Sequence, residues 1–344
     1  MSKILVTGGT GYIGSHTVVE LMEEGFEVVI IDNLSNSELE VLDGITAITG
    51  KEPHFEKVDL RDRELVIKVF EKHPDIQSII HFAAFKAVGE SVDKPLAYYE
   101  NNLLSLIHLL EAMKQFKIAH LVFSSSCTVY GEPDSLPVDE SAPIKKANSP
   151  YGNTKQICEE ILQDTLESSP ELGVISLRYF NPIGAHPSSK IGELPIGVPN
   201  NLVPFVTQTA AGIRERLNVF GDNYNTPDGS AVRDYINVVD LARAHIVAIR
   251  RLLANKQKTA FEVFNLGTGK GYSVLEIIHA FEKATGQKIN FKVVDRREGD
   301  VEQVYADTAY ANRELGWKAE KGIEETLLSA WNWEKNTRSK KNRS

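Results

Sequence analysis

Cysteine is almost missing from this chain: Cys127 and Cys158 are the only two in 344 residues. Two thiols exclude a disulfide framework and point to a reducing compartment. Positive charge is also in deficit, with 38 Lys and Arg against 47 Asp and Glu and a formal net charge of −9. An acidic chain without a long basic run argues against nucleic acid or anionic membrane as the main partner. No apolar stretch approaches the roughly 18–20 residues that cross a bilayer. The nine histidines show no HExxH or other paired spacing, so no metal site is expected. Nor is there a signal-peptide pattern, because the start runs directly into the strand-like Lys3-Ile4-Leu5-Val6. A cytoplasmic location is expected.

What is present is an ordinary globular balance, 42% hydrophobic and 25% charged. The length exceeds what one core usually reaches, so a large domain with a smaller lobe is expected. Short apolar runs at 4–6, 28–31, 78–82, 120–123 and 174–177 read as strands buried on both faces of a parallel sheet. Amphipathic stretches such as 61–72 and 96–116 lie between them. This βαβα alternation predicts an α/β fold, a Rossmann-type doubly wound parallel sheet. After Phe180 the texture becomes rich in loops, which predicts a smaller C-terminal α/β lobe laid over the main sheet. The expected division is 1–180 for the nucleotide-binding domain, 181–335 for the lobe and 336–344 for a disordered basic tail.

Gly8, Gly11 and Gly14 form a GxxGxxG pattern between the first strand and the first helix. Glycine there permits a tight turn, close approach of backbone to a pyrophosphate, and close packing of helix on strand. The helix N-terminus that follows offers free N–H groups to the diphosphate. Asp32 ends the second strand, where a carboxylate accepts hydrogen bonds from the adenosine ribose. The same carboxylate repels a 2′-phosphate, and no Arg or Lys lies within 33–37 to offset it. The expected cofactor is NAD.

Tyr151 and Lys155 stand at i and i+4, on one face of a helix opened by Ser149 and Pro150. Ser126 follows directly on a strand, at the end where open α/β sheets bind ligands. A phenol of pKa about 10 needs a shift of about 3 units, or about 4 kcal/mol, to act as a base at neutral pH. One cation at about 4 Å in an effective dielectric of about 20 supplies that much. Lys155 is that cation, and Ser126 would hold the reacting hydroxyl. With NAD, the trio describes hydride transfer at a sugar or alcohol carbon.

These motifs resemble the extended short-chain dehydrogenase/reductase family. The segments 81–91, 178–187, 199–202, 232–236 and 296–300 are similar, within it, to the UDP-hexose 4-epimerases, and the resemblance runs from about Lys3 to Trp333. It implies that Tyr12 and Ile13 touch the pyrophosphate and that Asp32, Asn33, Leu34, Ser35, Asn36 and Ser37 surround the ribose. It puts Asp59 and Leu60 at the adenine, Phe82, Ala83, Ala84, Lys86 and Asn101 along the cofactor, and Phe180 near the nicotinamide. For the sugar nucleotide it implies Asn181, Asn200, Asn201, Leu202, Phe220, Arg233, Arg297 and Asp300, beside Ser126 and Tyr151. A homodimer is implied as well.

The expected activity is interconversion of UDP-glucose and UDP-galactose through a 4-keto sugar, with NAD retained throughout. Dehydratases of the family carry an Asp-Glu pair after the active-site hydroxyl, whereas here Ser126 is followed by Cys127 and Thr128. A sugar-nucleotide dehydratase or decarboxylase and a regulatory NAD-binding module are the alternatives. By the same resemblance Val304 bounds the C2′ side of the sugar. Valine is small, so N-acetylated UDP-sugars are expected to be accepted too.

Overall fold

The computed structural model describes residues 2–296 and 301–341. Its strands are β1 Lys3–Thr7, β2 Glu27–Asp32, β3 His54–Lys57, β4 Ile76–His81, β5 His120–Ser126, β6 Gly173–Tyr179, β7 Asn181–Ile183, β8 Leu217–Phe220, β9 Val232–Asn237, β10 Phe261–Leu266, β11 Gly271–Ser273, β12 Phe291–Val294 and β13 Gln303–Val304. The helices are α1 Tyr12–Glu23, α2 Val41–Thr49, α3 Arg63–Lys72, α4 Val88–Asp93, α5 Pro95–Phe116, α6 Pro150–Ser168, α7 Leu202–Ala210, α8 Val238–Leu253, α9 Val274–Thr285, α10 Ala309–Glu314 and α11 Ile323–Lys341.

Among the described residues the main sheet has seven parallel strands in the order β3-β2-β1-β4-β5-β6-β10. Side chains alternate across it with period two. Ile4 and Val6 join the layer under α1 and α8, while Leu5 joins Val66, Phe70, Leu106 and Leu109 under α3 and α5. The strand order reverses between β1 and β4, and such a switch point opens a crevice at the carboxyl ends of the strands. The glycine turn after β1 and the segment after β4 both lie there.

The smaller lobe holds β9 between β11 and β13, with β7 also paired to β9, and a separate β8–β12 pair. Its core gathers Val203, Val206, Val219, Ile277, Phe281 and Trp331 from α7, β8, α9 and α11.

Two expectations about organisation need correction. The main sheet does not end near residue 180, because β10 returns to pair with β6 in parallel and α8 packs in the α1 layer. The segment after 335 is not a disordered tail as far as it is described: α11 continues through Lys341. Polar anchors hold it there, with Asn336 Nδ2 donating to Ser189 O at 2.5 Å and Arg338 Nη1 to Ala211 O at 2.6 Å.

Candidate active site

The glycine turn is closed by contacts that leave no room for a side chain. Gly8 has φ +71°, and a Cβ on it would lie 2.8 Å from Ala83 N. A Cβ on Gly14 would lie 2.1 Å from Gly8 O. Gly11 caps α1 without any side-chain hydrogen bond, so the first-turn N–H groups remain available to an anion. Tyr12 donates to Gly184 O at 2.6 Å, and Ile13 is half-buried beside the core. The uncapped N–H groups at this helix start suit a diphosphate by their chemistry.

Asp32 closes β2 with its carboxylate accepting from Leu34 N at 2.9 Å and from Thr10 N and Ser37 Oγ, both at 3.3 Å. Leu34 takes φ +60° to complete this turn. Asn33 donates to Asp59 at 3.1 Å and accepts from Ser35 N at 2.9 Å, while Ser35 and Asn36 are exposed. Arg61 forks onto Asp59 and holds that carboxyl down at about 2. Leu60 faces the core at 4% exposure, and its carbonyl accepts from His108.

Along the crevice, Ala83 N donates weakly to Thr7 Oγ1 at 3.4 Å, and Ala84 lies beside it in the same half-buried turn. The Phe82 ring packs on His245 at 4.8 Å. Lys86 Nζ lies 5.9 Å over the Tyr12 ring and 3.8 Å from Glu193. Asn101 is buried and donates to Asn102 Oδ1 at 3.0 Å.

Ser149 accepts from Gly152 N at 3.1 Å and Pro150 supplies the first helical position, which starts α6 immediately before Tyr151. Lys155, 4% exposed, donates to Ser124 O at 2.7 Å and sits 4.9 Å over the Phe123 ring. Burial lowers its ammonium to about 8, with Cys158 and Glu159 opposing. Burial raises the Tyr151 phenol to about 12, and a hydrogen bond with Ser126 opposes this. Ser126 ends β5 and accepts from Thr128 N and Oγ1 at 3.2 and 3.0 Å. The Cys127 thiol is pushed up to about 12 by burial, which disfavours the thiolate.

On the lobe side, Phe180 and Val304 share a small apolar cluster with Val129, Tyr130, Val138 and Ala306. Val304 pairs with Arg233 across β13 and β9, and Arg233 Nη1 donates to Val232 O at 2.8 Å. Asn181 opens β7 directly after Phe180. Asn200 is exposed, Asn201 donates to Glu193 at 2.6 Å, and Leu202 opens α7. Phe220 closes β8 at 39% exposure. Arg297 and Asp300 lie outside the described residues. Among the described residues, no cluster of three His, Cys, Asp or Glu is placed to hold a metal, and no helix is long and apolar enough to cross a membrane.

A family profile described as GDP-mannose 4,6 dehydratase matches residues 5–329. A UDP-glucose 4-epimerase of Bacillus subtilis is 52% identical over 331 residues, covering 96% of each chain. The chain belongs to the UDP-glucose 4-epimerase family. Solved structures of UDP-glucose 4-epimerases agree. That from Stenotrophomonas maltophila, with bound NAD and formylated UDP-arabinopyranose, has a TM-score of 0.95 at 46% identity, covering 99% of this chain and 100% of that one. That from Bifidobacterium longum, with NAD+ and UDP, has a TM-score of 0.94 at 46% identity, covering 98% and 99%.

Some side chains that organise this UDP-glucose 4-epimerase fold around its site gave no local sequence signal. Asn102 of α5 donates to Thr154 Oγ1 and Phe85 O and accepts from Phe85 N, tying the 82–86 segment to α6. Glu159 and Arg178 form a buried pair directly behind the Tyr151–Lys155 helix face. A buried asparagine in an amphipathic helix, or a Glu four residues after Lys155, is the only trace either leaves in the sequence.

Proposed function

We propose that the chain interconverts UDP-glucose and UDP-galactose by transient oxidation at C4′ through a 4-keto sugar. The observation that carries this reading is the meeting of Tyr151, Lys155 and Ser126 beside the glycine cradle, at the carboxyl end of a parallel sheet. NAD, when bound, supplies the hydride acceptor and donor and a second positive charge beside the phenol. Asp32 selects NAD over its 2′-phosphorylated form.

Tyr151 takes the 4′-hydroxyl proton as C4′ gives up hydride, which leaves a C4′ carbonyl. Lys155 stabilises the phenolate and Ser126 holds the reacting oxygen. The keto sugar then turns about its link to UDP and regains hydride on its other face. Tyr151 returns the proton, and atoms and electrons balance over the cycle. Arg233 and Arg297 neutralise the diphosphate, so the grip on UDP is firm while the sugar is free to turn.

The small side chain of Val304, at the position assigned to the C2′ side of the sugar, supports acceptance of UDP-N-acetylglucosamine and UDP-N-acetylgalactosamine. A homodimer is supported by the half-exposed apolar face of α5 with Leu103, Leu104 and Ile107, continued by Leu96 at 81% exposure. A cytoplasmic setting is supported by the free thiols of Cys127 and Cys158.

Incubation with UDP-galactose tests the activity. UDP-glucose is the expected product, a keto-deoxy sugar nucleotide would make the protein a dehydratase, and no turnover would leave only a binding module.

A further inference from the structure

Behind the Tyr151–Lys155 face of α6 lies a charge pair that the proposed chemistry does not use. Glu159 and Arg178 are both 6% exposed in their side chains. Arg178 donates from Nε to Glu159 Oε1 at 3.1 Å and from Nη2 to Oε2 at 2.6 Å. Ser125 and Ser176 also donate to Oε1, at 2.6 and 2.8 Å. Tyr130 places its ring 4.8 Å from the guanidinium. A buried pair is not in itself a source of stability, since removing two charges from water costs about what their attraction returns. Its location is the informative feature.

Glu159 follows Lys155 by one helical turn on the same face, where side chains are neighbours. Ser125, which anchors Glu159, lies between Ser124, whose carbonyl holds the Lys155 ammonium, and Ser126. Arg178 stands opposite Ser125 in the β5–β6 register. One carboxylate therefore ties together the three elements that carry the site.

We propose that Glu159 is a positioning residue, whose carboxylate, locked by Arg178, Ser125 and Ser176, keeps the buried Lys155 ammonium charged and aimed beneath Tyr151. This rests on the reading of Lys155 as the cation that tunes Tyr151. The other groups facing Lys155 do not replace Glu159. His81 on β4 is held neutral at about 3 by burial. On α6, the Cys158 thiol is raised to about 11 and the Tyr151 phenol to about 12. From β5 come only the Phe123 ring and the Ser124 carbonyl. From β6, the Tyr179 phenol is raised by burial and Arg178 is cationic. α5 offers the uncharged Asn102. Around the pair itself, Tyr130 is raised to about 12, and Glu140 beyond it, raised by burial, accepts from Asn265 N at 2.7 Å.

The test compares the wild type, Glu159→Gln and Glu159→Gln/Arg178→Met as cofactor-containing enzymes, reading kcat and KM against pH. Phenolate formation by Tyr151 is read separately, as ultraviolet difference absorbance against Tyr151→Phe. Glu159→Gln leaves Arg178 uncompensated near Lys155. The alkaline limb of kcat then falls by about one to two pH units, the effect of one charge about 6 Å away at a dielectric of about 20. Tyr151, a further turn away, feels the same lost negative charge more weakly, so its midpoint also moves to lower pH but by less. The double variant removes both charges, so both readouts come back part-way towards wild type, and its neutral core protects against the loss of folding that an unpaired Arg178 risks. If kcat drops in both variants while the limb and the phenolate midpoint stay at wild-type pH, Glu159 only holds structure and the proposal is overturned. Lys155→Met separates this from the reading beneath it. If that variant leaves the Tyr151 titration unchanged, Lys155 does not tune the phenol, and both ideas fall together.

Discussion

Lys155 Nζ donates a 2.7 Å hydrogen bond to the backbone carbonyl of Ser124, two residues before the serine that meets Tyr151. One strand end thereby fixes the ammonium and, through Ser126, the hydroxyl that the substrate would touch. A rigid backbone acceptor suits a buried cation, because no rotamer has to be frozen to receive it.

Lys155→Met is expected to lower kcat by about 10²–10⁴-fold with little change in KM, the range for losing a group that acts in proton transfer. Without the cation no positive charge opposes the burial that raises the phenol. The remaining activity should therefore climb with pH across the alkaline range, and a pH–rate series measures this. A flat profile with a large rise in KM would assign Lys155 to binding instead.

Val304 is 8% exposed and packs with Phe180 and Tyr130. On the proposed placement of Val304, a tyrosine there would fill the C2′ side. Val304→Tyr is expected to reduce turnover of N-acetylated UDP-sugars by about tenfold or more relative to UDP-galactose, as steric rejection in a packed pocket does. Parallel assays on both sugar pairs give the ratio, and an unchanged ratio removes Val304 as the gate.

Asp32→Ala removes the carboxylate that orders the turn at the end of β2. Loss of a charged hydrogen-bond acceptor is worth about 1.5–3 kcal/mol, so NAD should bind about 10–100-fold more weakly. Gly14→Ala places a methyl 2.1 Å from Gly8 O and should yield protein that retains no dinucleotide. Release of bound cofactor on denaturation, quantified by absorbance, checks both. Full retention by Gly14→Ala would mean that the glycine turn is not the diphosphate cradle.

Buried imidazoles contribute to the response to acid. Burial lowers His16 and His81 to about 3 and His245 to about 4. The unfolded chain takes up these protons near pH 6.5 and the folded chain does not, so stability is full above that value and is lost as pH falls towards the folded values. By about pH 5 each site costs about 2 kcal/mol. Glu193, Asp234, Glu20 and Glu140, raised by burial, act with the opposite sign. Calorimetry from neutral pH to about pH 5 should show a falling Tm. A constant Tm over that window would be incompatible with neutral buried imidazoles.

Much of this molecule was legible in the sequence because its signals are local. β1, β2, β4, β5 and β6 are apolar runs, the glycines and Asp32 sit at strand ends, and Tyr151 and Lys155 lie in the first turns of α6. What was missed depends on distant partners. β3, His54 to Lys57, is an edge strand with no fully buried residue. β10 carries Glu262 and Asn265, polar residues that become core only because Arg251 and Tyr130 meet them. The last turns of α11 lack apolar period and are held by hydrogen bonds to residues more than a hundred positions away. Asn102 and Arg178 act across 52 and 19 residues of separation, which no spacing rule reports.

The central claim is that hydride leaves C4′, stays on the enzyme and returns to the same carbon. UDP-galactose deuterated at C4′, incubated in ordinary water without added NAD, tests it directly. The account predicts UDP-glucose that keeps its deuterium at C4′. Deuterium lost to solvent, or no product until NAD is supplied in stoichiometric amount, would contradict it.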